Sequence, residues 1–137
     1  MLQSFHLKII SPSAIIVDAE VPTVEIPGAE GDFGVLPGHS PLFSMIRPGV
    51  IKVKLADGNT RKFFATSGYA DVTPESCTVL SDHIKDLKDI SVGDADAAMS
   101  EAKVALAKAQ NTAEREQAEK LVQSAEVLVM AVKGQSH

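Results

Sequence analysis

Pro27-Gly28-Ala29-Glu30-Gly31-Asp32-Phe33-Gly34-Val35-Leu36-Pro37-Gly38-His39-Ser40-Pro41 holds four glycines and three prolines in fifteen residues. Apolar side chains occur only at Ala29, Phe33, Val35 and Leu36. Glycine reaches positive φ without steric cost, and proline fixes φ and removes a donor. The stretch therefore predicts a sharp turn, a brief strand over Phe33–Leu36, and a second sharp turn. Glu30 and Asp32 sit in the first turn and His39 at the tip of the second. The glycines at 28, 31 and 34 do not follow the G-x-G-x-x-G spacing, and no Gly-Lys-Ser/Thr comes after them, so a phosphate-cradling loop is unsupported. Glu30, Asp32 and His39 have no second His or Cys nearby, and a metal site needs three or four converging ligands. Structural turns are the default reading of such a Gly/Pro cluster.

Short strands surround this stretch. On its N-terminal side Phe5-His6-Leu7-Lys8-Ile9 alternates apolar and polar, the mark of a half-buried strand. Ser11-Pro12-Ser13 breaks it. Ala14–Val21 is rich in β-branched residues and ends at Pro22, and Thr23–Ile26 alternates until Pro27. On the C-terminal side Leu42–Ile46 reads as a strand ended by Arg47-Pro48-Gly49. Ile51, Val53 and Leu55 then alternate with Lys52 and Lys54, Asp57-Gly58 reverses the chain, and Arg61–Ala65 returns. Asp-Gly between two alternating runs is a strong hairpin signal. Tyr69–Thr73 and Cys77–Leu80 add two strands. Short strands with regular turn signals predict an antiparallel β-sandwich over residues 1–84.

The pattern changes near Asp82. Asp82-His83-Ile84-Lys85-Asp86-Leu87-Lys88-Asp89 is polar and charged, and residues 85–93 read as a connector. From Asp94 to Val132 there is no Gly or Pro and alanine dominates, which predicts helix, with Asp94 or Asp96 as its cap. Ala95, Ala98, Ala102, Ala105 and Ala109 form one stripe of period 3.5. Ala118, Leu121, Ala125, Leu128 and Val132 form another. Asn111-Thr112 separates them, with Thr112 as the second cap. Residues 94–137 are therefore expected to fold as an antiparallel two-helix hairpin, its seam formed by Ala98, Ala102, Ala105, Ala109, Ala118, Leu121, Ala125, Leu128 and Val132. Alanine removes little apolar area from water, so the hairpin is expected to be marginally stable alone.

With 137 residues and a net charge of −5, the chain carries no basic stripe, and its aromatics are five Phe and one Tyr. Nucleic acid is not the expected partner. The single cysteine, Cys77, excludes an internal disulfide and lies in an alternating run, as a core residue would. Met1-Leu2-Gln3-Ser4 has no basic leader, and no run is long and apolar enough to span a bilayer, so membrane contact is expected only through partners. His6, His39, His83 and His137 are scattered, and no Ser, Cys or Asp falls into a triad context. A small hydrolase using His39 with an acid of the first turn, and a free-standing ligand-binding sandwich, stand as the alternatives to a binding subunit.

The opening stretch, completed by Leu42, resembles the signature loop of the epsilon subunit of bacterial F-type ATP synthases. Ile46-Arg47-Pro48-Gly49-Val50-Ile51, Ser67-Gly68-Tyr69-Ala70-Asp71-Val72-Thr73-Pro74 and Cys77-Thr78-Val79-Leu80-Ser81-Asp82 resemble further runs of that family, in the same order. The resemblance implies a non-catalytic rotor subunit without a cofactor. Its sandwich would bind the gamma subunit and the c-ring, and its hairpin would lie down on the sandwich or extend along gamma toward the beta subunits. It implies c-ring contact through Gly28, Glu30, Gly31, Asp32 and Phe33, and gamma contact through His39, Ser40 and Ser44. It implies a peripheral position on the cytoplasmic face of the bacterial plasma membrane.

Two departures from the family qualify this. Some members bind ATP through D-x-x-R-A on the first helix, but here Ala97 follows Asp94 at that distance and Met99 follows Asp96, and no Arg lies between Arg61 and Arg115. Weak or absent ATP binding is expected. Residues 112–133 carry three cations (Arg115, Lys120, Lys133) and four acids (Glu114, Glu116, Glu119, Glu126), a net of −1. Such a helix is not drawn to acidic beta segments, so weak restraint of ATP hydrolysis is expected, with a short tail ending at His137.

Overall fold

The computed structural model describes residues 3–134. Residues 1–2 of the expected sandwich segment and residues 135–137 of the expected hairpin segment, the His137 tail included, lie outside the described residues. The described residues form strands β1 (Phe5–Ser11), β2 (Ala14–Val21), β3 (Thr23–Gly28), β4 (Gly31–Val35), β5 (Leu42–Met45), β6 (Gly49–Lys54), β7 (Thr60–Ala65), β8 (Tyr69–Val72), β9 (Ser76–Leu80) and β10 (Ile84–Asp86). Helices α1 (Val92–Lys108) and α2 (Thr112–Gly134) follow. The chain divides into two compact units between Asp86 and Leu87.

The first unit is a β-sandwich. One sheet has the order β2-β1-β9-β8-β5 and the other β10-β7-β6-β3-β4. Alternation decides which side chains meet between them, because successive residues of a strand point to opposite faces. Phe5, Leu7 and Ile9 of β1 are buried, as are Ile51 and Val53 of β6 and Phe63 of β7, and all belong to one core. Pairing is antiparallel except between β1 and β9, which run parallel with Leu7 opposite Cys77. The Asp57-Gly58 reversal joins β6 to β7 with Lys54 opposite Thr60. Asp57 closes that turn by accepting the Asn59 N–H at 2.9 Å.

Three local expectations need correction. β3 does not stop at Pro27 but runs through Gly28, with Pro27 opposite Asp32 of β4. Its pairing with β6 covers only Thr23–Glu25, so no strand on that side asks Pro27 for the N–H it lacks. Residues 85–93 are not a bare connector. β10 pairs with β7, Ile84 opposite Ala65, so the sandwich extends through Asp86. A 3-10 turn follows at Leu87–Asp89, and α1 begins at Val92. A three-residue edge strand with one apolar residue, Ile84, gives no alternation to read.

The second unit packs α1 against α2, with the 3-10 turn touching α2. The cap of α1 is Ser91, not Asp94 or Asp96. Ser91 Oγ accepts the Asp94 N–H at 2.9 Å and Asp94 Oδ2 accepts the Ser91 N–H at 3.1 Å, a capping box. Asn111, not Thr112, caps α2: its Oδ1 accepts the Glu114 N–H at 2.8 Å, while Glu114 Oε2 accepts the Gln110 N–H at 2.8 Å. The helices run antiparallel, Lys133 near the end of α2 lying 4.0 Å from Asp96 near the start of α1. Buried positions recur every seventh residue, at Ala95 and Ala102 and at Ala118, Ala125 and Val132. Ala98, Ala105, Ala109 and Leu128 are half-buried. Leu121 is 50% exposed and lies outside the buried seam. Two helices alone meet along a line, and the second half of each stripe falls on its flank.

Two measurements test this packing. A Cβ on Gly49 would lie 2.7 Å from Pro27 Cβ, whereas one on Gly34 meets nothing within 4 Å. Gly49→Ala is therefore expected to destabilise the sandwich by about 1–3 kcal/mol through overpacking. Gly34→Ala should leave stability unchanged or raise it by roughly 0.5 kcal/mol. Urea unfolding followed by Tyr69 emission, in a chain without Trp, reads both; equal effects at the two positions would contradict the packing. Cys77 gives the second test. Burial, and next the Asp71 charge, push its thiol pKa from 9.0 up to about 12. The folded state thus holds the proton more tightly than the unfolded state. The stability this contributes is complete below about pH 9 and declines by about 1.4 kcal/mol per pH unit between 9 and 12. Cys77→Ala should flatten that part of the pH–stability curve.

Candidate functional site

β3 and β4 form a hairpin whose tip carries every residue expected at the c-ring. Gly28 pairs with Gly31, leaving Ala29 and Glu30 as the two-residue turn. Gly31, at φ 137°, takes the positive φ the turn requires. Gly28 is buried because the chain passes close to it: a Cβ there would lie 2.7 Å from the Gly31 carbonyl oxygen and 2.9 Å from Phe33 Cε1. Asp32 is not a free carboxylate. Arg47 Nη2 donates to Asp32 Oδ1 at 2.6 Å, and Arg47 Nη1 donates to the Gly28 carbonyl at 2.7 Å.

The residues expected at gamma are placed differently from one another. The Gly38 N–H donates to the Pro74 carbonyl at 2.9 Å, and the His39 N–H to the Leu36 carbonyl at 3.1 Å. His39 Nδ1 lies 2.6 Å from the Ser40 carbonyl oxygen, so the ring donates into its own turn through that nitrogen. Ser44 is half-buried on β5, and its hydroxyl donates to the Met45 carbonyl at 2.9 Å. Ser44 joins the c-ring set in one open groove of ≈ 510 Å³, lined by Ala29–Phe33 of the tip and Leu42–Met45 of β5. His39 and Ser40 do not line it.

The groove shows what sequence reading missed. β5 is an edge strand of its sheet, and β4 an edge strand of the other. Phe43 is 60% and Met45 55% exposed. In the β5–β8 register Phe43 faces Asp71 and Met45 faces Tyr69, so Phe43, Met45 and Tyr69 share the outward face. The Phe43 and Tyr69 rings stack at 5.1 Å between centroids. Leu36 is 62% exposed. Apolar side chains gathered on an edge strand beside a groove mark a protein-binding surface better than scattered ones. The signal was present in Leu42-Phe43-Ser44-Met45, which has too few polar residues for a strand with one solvated face.

Among the described residues no group of three His, Cys, Asp or Glu is placed to hold a metal ion. Asp32 bonds Arg47 and His39 Nδ1 bonds the Ser40 carbonyl of its own turn, so these two side chains do not pair with each other. Cys77 is buried with its thiol held protonated, unlike a nucleophile.

Comparison with known proteins fits this architecture. The family model described as ATP synthase, Delta/Epsilon chain, beta-sandwich domain, matches residues 4–86. Proteins named ATP synthase epsilon chain from Brucella anthropi and Brucella canis are each 40% identical over 119 residues, covering 87% of this chain and 88% of theirs. The fold is shared with a chain in the Euglena gracilis mitochondrial ATP synthase OSCP/F1/c-ring structure, with a TM-score of 0.86 and 22% identity over 96% of this chain and 83% of that one. It is shared too with a chain of the Tetrahymena thermophila mitochondrial ATP synthase central stalk and c-ring, at a TM-score of 0.74 and 13% identity over 95% and 97%. With a family model matching the whole sandwich and an epsilon-chain relative matching most of both units, this chain belongs to the ATP synthase delta/epsilon chain family.

Proposed function

We propose that this chain is a non-catalytic central-stalk subunit of a bacterial F-type ATP synthase, coupling gamma to the c-ring as the rotor turns. Family membership supports the assignment to the enzyme. The observation that carries the contact assignment is the division of one groove between two chemistries. Its β3–β4 wall is the tip with Glu30, Gly31, Asp32 and Phe33, backed by the buried Gly28 and suited to the polar loops of a c-ring. Its β5 wall is apolar, with Leu42, Phe43 and Met45, suited to burial against gamma. His39, Ser40 and Ser44 flank the gamma surface. Since His39 Nδ1 and the Ser44 hydroxyl already donate within the chain, they contribute shape there more than new hydrogen bonds.

No helix among the described residues is long and apolar enough to cross a membrane. The subunit reaches the membrane through gamma and the c-ring, on the cytoplasmic face of the plasma membrane. The hairpin is a weak regulator. Residues 112–133 carry a net charge of −1, which gives no long-range attraction to acidic beta segments.

Copurification from native membranes tests the assignment, with gamma and the c-ring expected to accompany a tagged chain. Phe43→Asp is expected to weaken binding to gamma about 30-fold, as for a buried aromatic anchor. The fold should be unaffected, since Phe43 is 60% exposed. His39→Glu should have a smaller effect. Titration calorimetry giving unchanged affinity for both Phe43→Asp and Met45→Asp would remove gamma from this surface. Deleting residues 94–137 should change ATP hydrolysis by the assembled enzyme only marginally; a rise of several-fold would make the hairpin a strong inhibitor.

A further inference from the structure

The Arg47 side chain makes two contacts whose acceptors lie on opposite strands of the β3–β4 hairpin. Nη1 bonds the carbonyl of Gly28, the last residue of β3, at 2.7 Å, and Nη2 bonds Oδ1 of Asp32 on β4 at 2.6 Å. The Arg47 N–H also donates to the Pro27 carbonyl at 3.0 Å, and the Ala29 N–H donates to the Met45 carbonyl at 2.8 Å. One residue, just past the end of β5, thus grips both strands of a hairpin belonging to the other sheet. A planar guanidinium presents paired donors at fixed spacing, which an ammonium does not. Glu30 differs from Asp32: it occupies the turn itself, exposed, between the two gripped positions.

We propose that Arg47 is the positioning residue of the hairpin tip, clamping Gly28 and Asp32 so that Glu30, not Asp32, is the carboxylate offered to a partner's basic or amide groups. The inference rests on the c-ring contact proposed above and refines it. Asp32 is engaged by Arg47 although its side chain stays exposed, and its effect on ring binding runs through the shape of the tip. Phe33, whose ring packs beside Gly28, lines the groove side of the tip.

The experiment measures binding of the gamma complex of this chain to detergent-solubilised c-ring, together with amide exchange at Ala29 in the isolated chain. Arg47→Gln and Asp32→Asn should each weaken ring binding about threefold, the scale of an exposed ion pair. The double variant should be no weaker than Arg47→Gln alone. Arg47→Lys should recover part of the loss, because one ammonium can hold only one acceptor well. Glu30→Gln should weaken ring binding while leaving Ala29 exchange unchanged, whereas Arg47→Gln should accelerate it. The proposal is overturned if Asp32→Asn weakens ring binding as much in the Arg47→Gln background as in the wild type, or if Arg47→Gln leaves Ala29 exchange unaltered. Should the wild-type complex not bind the ring at all, the ring contact fails, and Ala29 exchange still decides whether Arg47 clamps the tip. If Arg47→Gln does not fold, exchange in Asp32→Asn gives the same decision.

Discussion

The close approach of Pro27 and Gly28 to the segment Met45–Gly49 is the constraint on which the functional end of the sandwich depends. Here the edge hairpin of one sheet meets the end of the edge strand of the other. Gly28 bridges to Ile46, the Arg47 N–H reaches the Pro27 carbonyl, and Gly49 leaves no room for a Cβ against Pro27. Gly49 is there because the Pro27 ring fills the space of a Cβ, and Gly28 because the Gly31 carbonyl and the Phe33 ring of its own hairpin do. The groove follows from this joint. With the sheets tied at one corner, the tip residues and Leu42–Met45 of β5 line a single depression, polar at the tip and mostly apolar along β5.

That joint also explains how much of the molecule was legible. Alternation along β1, β6 and β7 was readable because each strand has one buried and one wetter face, and period-2 patterning records that difference. The tip was readable because a tight reversal demands Gly and Pro locally. What stayed hidden was set by distant neighbours. Pro27 continues a strand only because β6 stops pairing before it. β10 exists only because β7 offers it an edge. The clamp joins Arg47 to Asp32, fifteen positions away, and no local pattern encodes such a pair. The exposure of Phe43 and Met45 was not legible, because hydrophobicity predicts burial without saying whether the chain itself or a partner supplies the cover.

The helical unit follows a different logic. Its buried line is almost wholly alanine, closed by Val132. Small side chains let the two helices approach closely but withdraw little surface from water, so the capping networks at Ser91 and Asn111 contribute a large share of its order. Ser91 and Asn111 are polar residues in a charged stretch, and their role becomes visible only when the first turns of α1 and α2 are seen.

The central claim is that one groove faces two partners, gamma along β5 and the c-ring at the β3–β4 tip. The most direct measurement places a photo-crosslinking residue at Phe43 in one sample and at Glu30 in another, within the assembled enzyme in native membranes. The account predicts a product with gamma from position 43 and a product with subunit c from position 30. A gamma product from both positions, or products with catalytic-head subunits alone, would contradict it.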